Sequence, residues 1–320
     1  MSVQIGSKRI GDGHPCYVIA EIGINHNGFV DNAIKMIDVA VKAGADAVKF
    51  QKRTIDVVYT SEDMARKRQV PTFNGIMEQA IKRKVLSPGA VRRLQESNHE
   101  DTTNGDLKYA LEFTTEEYQI IAAHCRHREV DWFASPWDED SVDFLEQLNV
   151  RCHKIASASL TDRGLLERIK KTGKPVILST GMSKIEEIRC AVNILGKDNL
   201  ILMHAVSIYP ANDKDLNLEV ITTLKKEFPG VPVGYSGHEK DILPSIIAVS
   251  MGACLVERHL TLDRRDWGSD QASSIEPKEL AEMVESIRRV PMMHGSPVKN
   301  VDPREVEVMK KLRRKTDYGV

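Results

Sequence analysis

Eight short apolar runs, each followed by a stretch of helical periodicity, constrain this chain more than any other feature. The runs are YVIAEIG (17–23), AVKFQ (47–51), WFASP (132–136), HKIAS (153–157), PVILST (175–180), LILMHAV (200–206), PVGYSG (232–237) and CLVERHLT (254–261). Most begin without polar/apolar alternation, as strands buried on both faces of a parallel sheet do. Between them lie amphipathic segments. DNAIKMIDVAVKAG places Ile34, Ile37 and Val41 on one face and sets Gly44 as a C-cap. TTEEYQIIAAH opens with Thr114 and Glu117 at capping-box spacing. Eight β-α pairs predict an α/β fold, a (β/α)8 TIM barrel.

Two segments stand outside the repeat. VQIGSKRIGDGHP, before the first run, reads as a hairpin closing the barrel bottom. Residues 53–112, after the second run, form a long charged insertion, which at this length reads as a lid or a partly unstructured loop. The domain expected is therefore 1–300, a barrel carrying the insertion 53–112, followed by a polar surface tail over 301–320. With 320 residues the chain exceeds the roughly 250 that such a barrel needs.

Charge excludes some partners. Lys+Arg number 45 against Asp+Glu 46, so neither nucleic acid nor a charged membrane surface is expected. No run approaches the roughly 18 apolar residues of a membrane span. Five scattered cysteines, with no metal or redox spacing, predict a reducing, cytoplasmic location.

In such a barrel the chemistry sits where the strands end. Glu21 closes the first run, Lys49 and Gln51 the second, and Ser135 the third. Lys154 and Ser157 belong to the fourth, Ser179 and Thr180 to the fifth. His204 lies on the sixth, a candidate wall of the site or a core residue, with Ser207 and Tyr209 beyond it. Ser236, Gly237 and His238 end the seventh, and Glu257 and His259 share a parity on the eighth. His153, beside Lys154, should point the other way. Two lysines with hydroxyls and tight glycine turns suit a phosphate and a carboxylate. Two imidazoles on neighbouring strands suit a divalent metal with open positions. A single acid beside them suits proton transfer.

The segments AEIGINHNG, GADAVKFQ, HKIAS, GKPVILSTGMS, YPA, VGYSGHE and ERHLTLDRRDWGSDQASSIEP resemble the sialic acid (N-acetylneuraminate) synthase family, from about residue 15 to about 295. That resemblance implies a transferase condensing phosphoenolpyruvate with an N-acylated aminosugar, such as N-acetylmannosamine, to give a nonulosonic acid and phosphate. It implies metal ligation by His238 and His259, with Mn²⁺ first and Mg²⁺ or Co²⁺ next. It assigns Lys49, Lys154, Ser157, Ser179, Ser207 and Ser236 to phosphoenolpyruvate. Gln51, Tyr209 and Asp270 fall to the sugar, and Glu21 to water or proton handling, with Glu21, Lys49 and Lys154 as the catalytic set. A homodimer is also expected. The resemblance further implies an antifreeze-like domain after the barrel, which this chain is read as lacking. The other departures are the long insertion, ASLTDRG after the fourth run, and Gln271 in place of a histidine. Two other readings stand beside it. One is a related synthase for a non-acetylated or phosphorylated sugar. The other is a non-catalytic barrel serving as a binding or scaffold subunit.

Overall fold

The computed structural model describes residues 2–314. Its centre is a parallel sheet in which each apolar run becomes a strand: β3 (Tyr17–Gly23), β4 (Ala47–Lys52), β5 (Asp131–Pro136), β6 (His153–Ile155), β7 (Val176–Ser179), β8 (Leu200–Ala205), β9 (Val233–Gly237) and β10 (Leu255–His259). The ladder order is β5-β4-β3-β10-β9-β8-β7-β6, and β5 packs beside β6 across the remaining seam. The result is a (β/α)8 barrel. Its helices α1 (Val30–Lys42), α7 (Thr115–His127), α8 (Glu139–Gln147), α9 (Arg163–Lys171), α10 (Ile185–Leu195), α11 (Val220–Glu227), α12 (Leu243–Ser250) and α13 (Pro277–His294) form the outer layer. Thr114 and Glu117 make the anticipated capping box at the start of α7, each satisfying an orphan amide of the first turn.

The core is aliphatic. Ile19, Val48, Ile177, Ile201 and Val256 are fully buried, as expected of strands covered on both faces. Alternation then decides which polar residues face the barrel interior. On β10, Glu257 and His259 point inward. Arg258 between them points to the helix layer, where it is fully buried. There it meets Glu239 at 3.0 Å and donates to Ser245 Oγ at 3.1 Å.

The hairpin pairs β1 (Ser2–Ile5) with β2 (Lys8–Gly11). Val3, Ile5 and Ile10 join the barrel core. Its turn abuts the start of β5, where a Cβ on Gly6 would lie 2.9 Å from the Asp131 carboxylate. It therefore sits at the N-terminal end of the strands, opposite the site.

Residues 55–111 fold as α2 (Ile55–Val58), α3 (Ser61–Ala65), α4 (Ile76–Lys82), α5 (Pro88–Glu96) and α6 (Asn104–Leu111). Among their charges lies a small core including Ile76, Met77, Leu94 and Leu107. It packs on Ile24 and Phe29, after β3, and on Trp267, after β10. This apolar contact is what orders a segment so rich in charge, and it holds the insertion on the rim where the strands end. Beyond the barrel, α14 (Val306–Leu312) is exposed or half-exposed throughout, and residues 315–320 of the expected tail lie outside the described residues.

Candidate active site

The strand registers gather the polar ends. Glu21 pairs across the sheet with Lys49 and with His259, and Glu257 with Ser236. Their side chains line one cavity of about 280 Å³ at the C-terminal mouth of the barrel.

At its floor two ammonium groups share two carboxylates. Lys49 Nζ lies 3.0 Å from Glu21 Oε2 and 3.5 Å from Glu257 Oε1. Lys154 Nζ lies 3.6 Å from the same Glu257 oxygen. Each lysine also donates to a serine, Lys49 to Ser135 at 3.1 Å and Lys154 to Ser179 at 2.7 Å. All four charged residues are buried. Burial alone would drive Lys49 toward neutrality, but Glu21 and Glu257 outweigh it and hold its pKa above the ordinary value. Lys154 is less well compensated. Burial, joined by repulsion from Lys49, pushes it down to about 8 against the attraction of Glu257. Burial would also raise Glu257, but the two lysines prevail and lower it. Two positive and two negative groups leave the floor nearly neutral.

A hydroxyl cradle adjoins the lysines. Ser157 begins a short turn after β6, and its Oγ accepts the Gly181 N–H at 3.0 Å. Ser207 Oγ is shielded from solvent and has no hydrogen-bond partner among the described residues. A Cβ on Gly181 would lie 2.5 Å from Ser207 Oγ and 2.8 Å from Ser157 Oγ. Only glycine lets these hydroxyls converge, and an anion's oxygens suit the space between them.

On the opposite wall stand the imidazoles, with ring centroids 5.7 Å apart. His238 Nδ1 lies 2.7 Å from the Val206 carbonyl, so that nitrogen carries the proton and donates it. Nε2 is then the acceptor, and it receives the Tyr209 hydroxyl at 3.0 Å. Burial, with His259 adding repulsion, pushes His238 down to about 3, so it stays neutral. His259 Nδ1 is buried without a hydrogen-bond partner among the described residues, 3.9 Å from Asp270 Oδ2. Among the described residues no group of three or more His, Cys, Asp or Glu side chains is arranged to hold a metal.

Eleven of the residues expected from sequence line this one cavity: Glu21, Lys49, Gln51, Lys154, Ser157, Ser179, Ser207, Tyr209, Ser236, His238 and His259. Asp270 is not among its walls and stands next to His259 instead. His204 does not line the site, since its Nε2 is bound to the Leu216 carbonyl at 2.7 Å. His153 points to the helix layer and meets Glu146 at 2.8 Å. Three residues received no role from sequence. Glu257 links both lysines, and its parity with His259 was the available signal. Arg53 donates to Gln51 Oε1 at 2.5 Å and stacks on Trp137, with its guanidinium carbon 4.1 Å from the ring centroid. Its parity with Lys49 and Gln51 was likewise visible. Trp137, one residue beyond β5, carried no signal.

The NeuB family model matches residues 36–299. The N-acetylneuraminate-9-phosphate synthase of Mus musculus is 36% identical over 95% of this chain and 78% of its own. The N,N'-diacetyllegionaminic acid synthase of Legionella pneumophila is 33% identical over 97% and 82% respectively. Among solved structures, the N-acetylneuraminic acid (sialic acid) synthetase of Leptospira borgpetersenii superposes with a TM-score of 0.77 at 31% identity, covering 98% of both chains. Together with the barrel and its mouth, these matches assign the chain to the NeuB family.

Proposed function

We propose that this enzyme condenses phosphoenolpyruvate with the open-chain aldehyde of an N-acylaminohexose-like sugar, giving a nonulosonic 3-deoxy-2-ulosonic acid and inorganic phosphate. One observation carries the reading: two buried lysines beside a hydroxyl cradle, facing two imidazoles across one small cavity. The names of the relatives support the same class of reaction.

Lys49 and Lys154, with Ser157, Ser179, Ser207 and Ser236, hold the phosphate and carboxylate of phosphoenolpyruvate. When that anion enters, the ammonium groups exchange carboxylate partners for it. The enol carbon–carbon double bond supplies the electron pair that forms the new bond from its methylene carbon to the aldehyde carbon. The aldehyde oxygen takes a proton and becomes a hydroxyl. Water adds to the cationic second carbon left behind, and loss of its proton gives a hemiketal phosphate. Phosphate then leaves with carbon–oxygen cleavage, and a ketone remains. Glu21 takes the proton from water in this reading, and Gln51 Nε2, which donates to its Oε1 at 3.0 Å, orients it. Lys49 and Lys154 stabilise the negative charge that persists through these steps. Gln51, Tyr209 and Asp270 are assigned to the sugar.

A metal fits the imidazole wall. His238 Nε2 is a neutral acceptor that a metal would take over from the Tyr209 hydroxyl, and His259 Nδ1 is buried with no hydrogen-bond partner among the described residues. Two imidazoles are an incomplete set, so water and substrate would have to complete the shell of an ion held there. His238 and His259 would hold a divalent ion, Mn²⁺ first and Mg²⁺ or Co²⁺ next, which would supply Lewis-acid polarisation of the aldehyde oxygen. Phosphate release from phosphoenolpyruvate with a panel of aldoses tests the proposal. Release that requires an N-acylaminohexose supports it, and no release with any aldose rejects it.

A further inference from the structure

Arg53, Gln51 and Glu21 form a chain of hydrogen bonds that runs from behind the cavity wall to its floor. Arg53, just after β4, does not line the cavity. Its Nη2 donates to Gln51 Oε1 at 2.5 Å, and Gln51 Nε2 donates to Glu21 Oε1 at 3.0 Å. The other oxygen, Glu21 Oε2, lies 3.0 Å from Lys49 Nζ, yet it is buried without a well-angled hydrogen bond among the described residues. The outer end of the chain is held firmly. Arg53 is 9% exposed, and its guanidinium carbon stacks 4.1 Å from the centroid of the Trp137 ring. The sheet brings Trp137 there, since its backbone N–H donates to the Lys52 carbonyl at 3.0 Å. At the inner end Gly23 makes room. A Cβ at Gly23 would stand 3.1 Å from Glu21 Oε1 and 3.2 Å from Gln51 Nε2.

A glutamine amide has nearly the same shape either way round, but only its NH2 end can support a carboxylate. Turned the other way, two oxygens would face each other. Arginine has donors and no acceptor, so it admits only the orientation in which Oε1 faces it. Nε2 is then left for Glu21. Among the described residues these two bonds are the only ones that the Gln51 side chain makes. Each has an ionised partner, cation on one side and carboxylate on the other, which makes both stronger than neutral bonds. Glu21 is thereby held by Oε1, and Oε2 keeps a lone pair for a proton.

We propose that Arg53 is a positioning residue for the water-addition step, acting on Glu21 through the Gln51 amide. In that step one O–H bond of water breaks, its oxygen bonds to the cationic second carbon, and the proton passes to Glu21 Oε2. Arg53 touches neither water nor substrate. It sets which end of Gln51 meets Glu21, and so which oxygen of Glu21 is open. This inference rests on the condensation reading above, and it adds to that reading a residue behind the cavity wall, anchored by Trp137.

The test is a double-mutant cycle on Arg53 and Gln51, read as kcat and KM for phosphate released from phosphoenolpyruvate with an N-acylaminohexose. Arg53→Met, which keeps the length but cannot donate, should lower kcat by about 10–100-fold, the scale of a misplaced reacting group. The KM for phosphoenolpyruvate should stay near its native value, because Arg53 does not touch that substrate. Arg53→Lys, which still donates, should recover most of the lost kcat. In a Gln51→Met background, Arg53→Met should lower kcat further by no more than about threefold, because the link to Glu21 is already cut. An unchanged kcat in Arg53→Met, even with a lowered melting temperature, overturns the inference and leaves Arg53 a packing role. A full additional loss in the Gln51→Met background also overturns it, since Arg53 would then act by another route. So does a raised KM for the sugar with kcat unchanged, which would place Arg53 on the acceptor. If the native enzyme releases no phosphate with any aldose, the condensation reading itself falls, and this inference with it.

Discussion

A buried lysine keeps its proton only when nearby anions compensate for lost hydration. In this cavity the compensation is unequal. Lys49 has two carboxylates within 3.5 Å, whereas Lys154 has one at 3.6 Å and feels Lys49 as well. Lys154 is therefore the group that titrates near 8, protonated below that value and neutral above it. On the proposed function, its cation is the form that would bind phosphoenolpyruvate. The expected pH profile of kcat/KM for phosphoenolpyruvate thus falls on the basic side, by up to about tenfold per unit above that pKa. Lys154→Arg should move this limb upward even as it slows the reaction, because guanidinium stays charged. A limb that stays in place in Lys154→Arg would assign it to another group. Glu257→Gln tests the same circuit from the other side. With one carboxylate gone, both ammonium groups lose an attraction, and the basic limb should move to lower pH. Breaking a buried pair typically costs about 3–5 kcal/mol, so thermal melting should show the loss as well.

Two turns show how elements shape the site. The Gly181 turn after β7 has no room for a methyl group between Ser157 and Ser207. Gly181→Ala should push one serine away and lower kcat/KM for phosphoenolpyruvate at least about tenfold, equivalent to one lost hydrogen bond to a charged group. Steady-state kinetics at saturating sugar would measure it, and wild-type values would show that the cradle does not hold the anion. The turn between β3 and α1 docks the insertion. Gly28 has φ +78°, and a Cβ there would come within 2.2 Å of the Ala110 carbonyl of α6. Gly28→Ala should destabilise the protein by at least about 1–2 kcal/mol, from left-handed strain plus the clash. Its effect on sugar kinetics should exceed its effect on phosphoenolpyruvate, because α6 belongs to the insertion docked on the rim and carries none of the residues lining the phosphoenolpyruvate end. Equal losses for both substrates would argue that the insertion does not border the acceptor.

For the molecule as a whole, the barrel was legible because buried parallel strands leave uninterrupted apolar runs, and each run became a strand. Parity along those runs made most of the site legible too. Lys49 with Gln51, and Glu257 with His259, share a face by backbone geometry alone. What sequence did not disclose depends on distances between elements remote in the chain. That Glu257 reaches both Lys49 on β4 and Lys154 on β6 is a property of the closed barrel. The insertion's small core was hidden because its apolar residues are diluted by charges and complete their packing on Ile24, Phe29 and Trp267. His204 showed the right position for a site residue, but its carbonyl partner Leu216 lies on the loop after β8. Asp270 belongs to a loop whose path no periodicity encodes.

At this scale the metal reading is also testable. Chelation should abolish condensation, and Mn²⁺, Co²⁺ or Mg²⁺ should restore it to different extents. His238→Ala and His259→Ala should lose metal binding, measured by titration calorimetry, while circular dichroism stays native. Full activity in metal-free protein would remove the ion from the account.

On the proposed function, phosphoenolpyruvate reacts through carbon–carbon bond formation followed by carbon–oxygen cleavage in the cavity of Lys49, Lys154, His238 and His259. Phosphoenolpyruvate carrying ¹⁸O in its bridging oxygen distinguishes this course from direct hydrolysis at phosphorus. With a competent aldose, mass spectrometry should find the label in the released phosphate and none in the ulosonic acid. Label retained in an organic product, or phosphate released at the same rate without any aldose, would contradict the account.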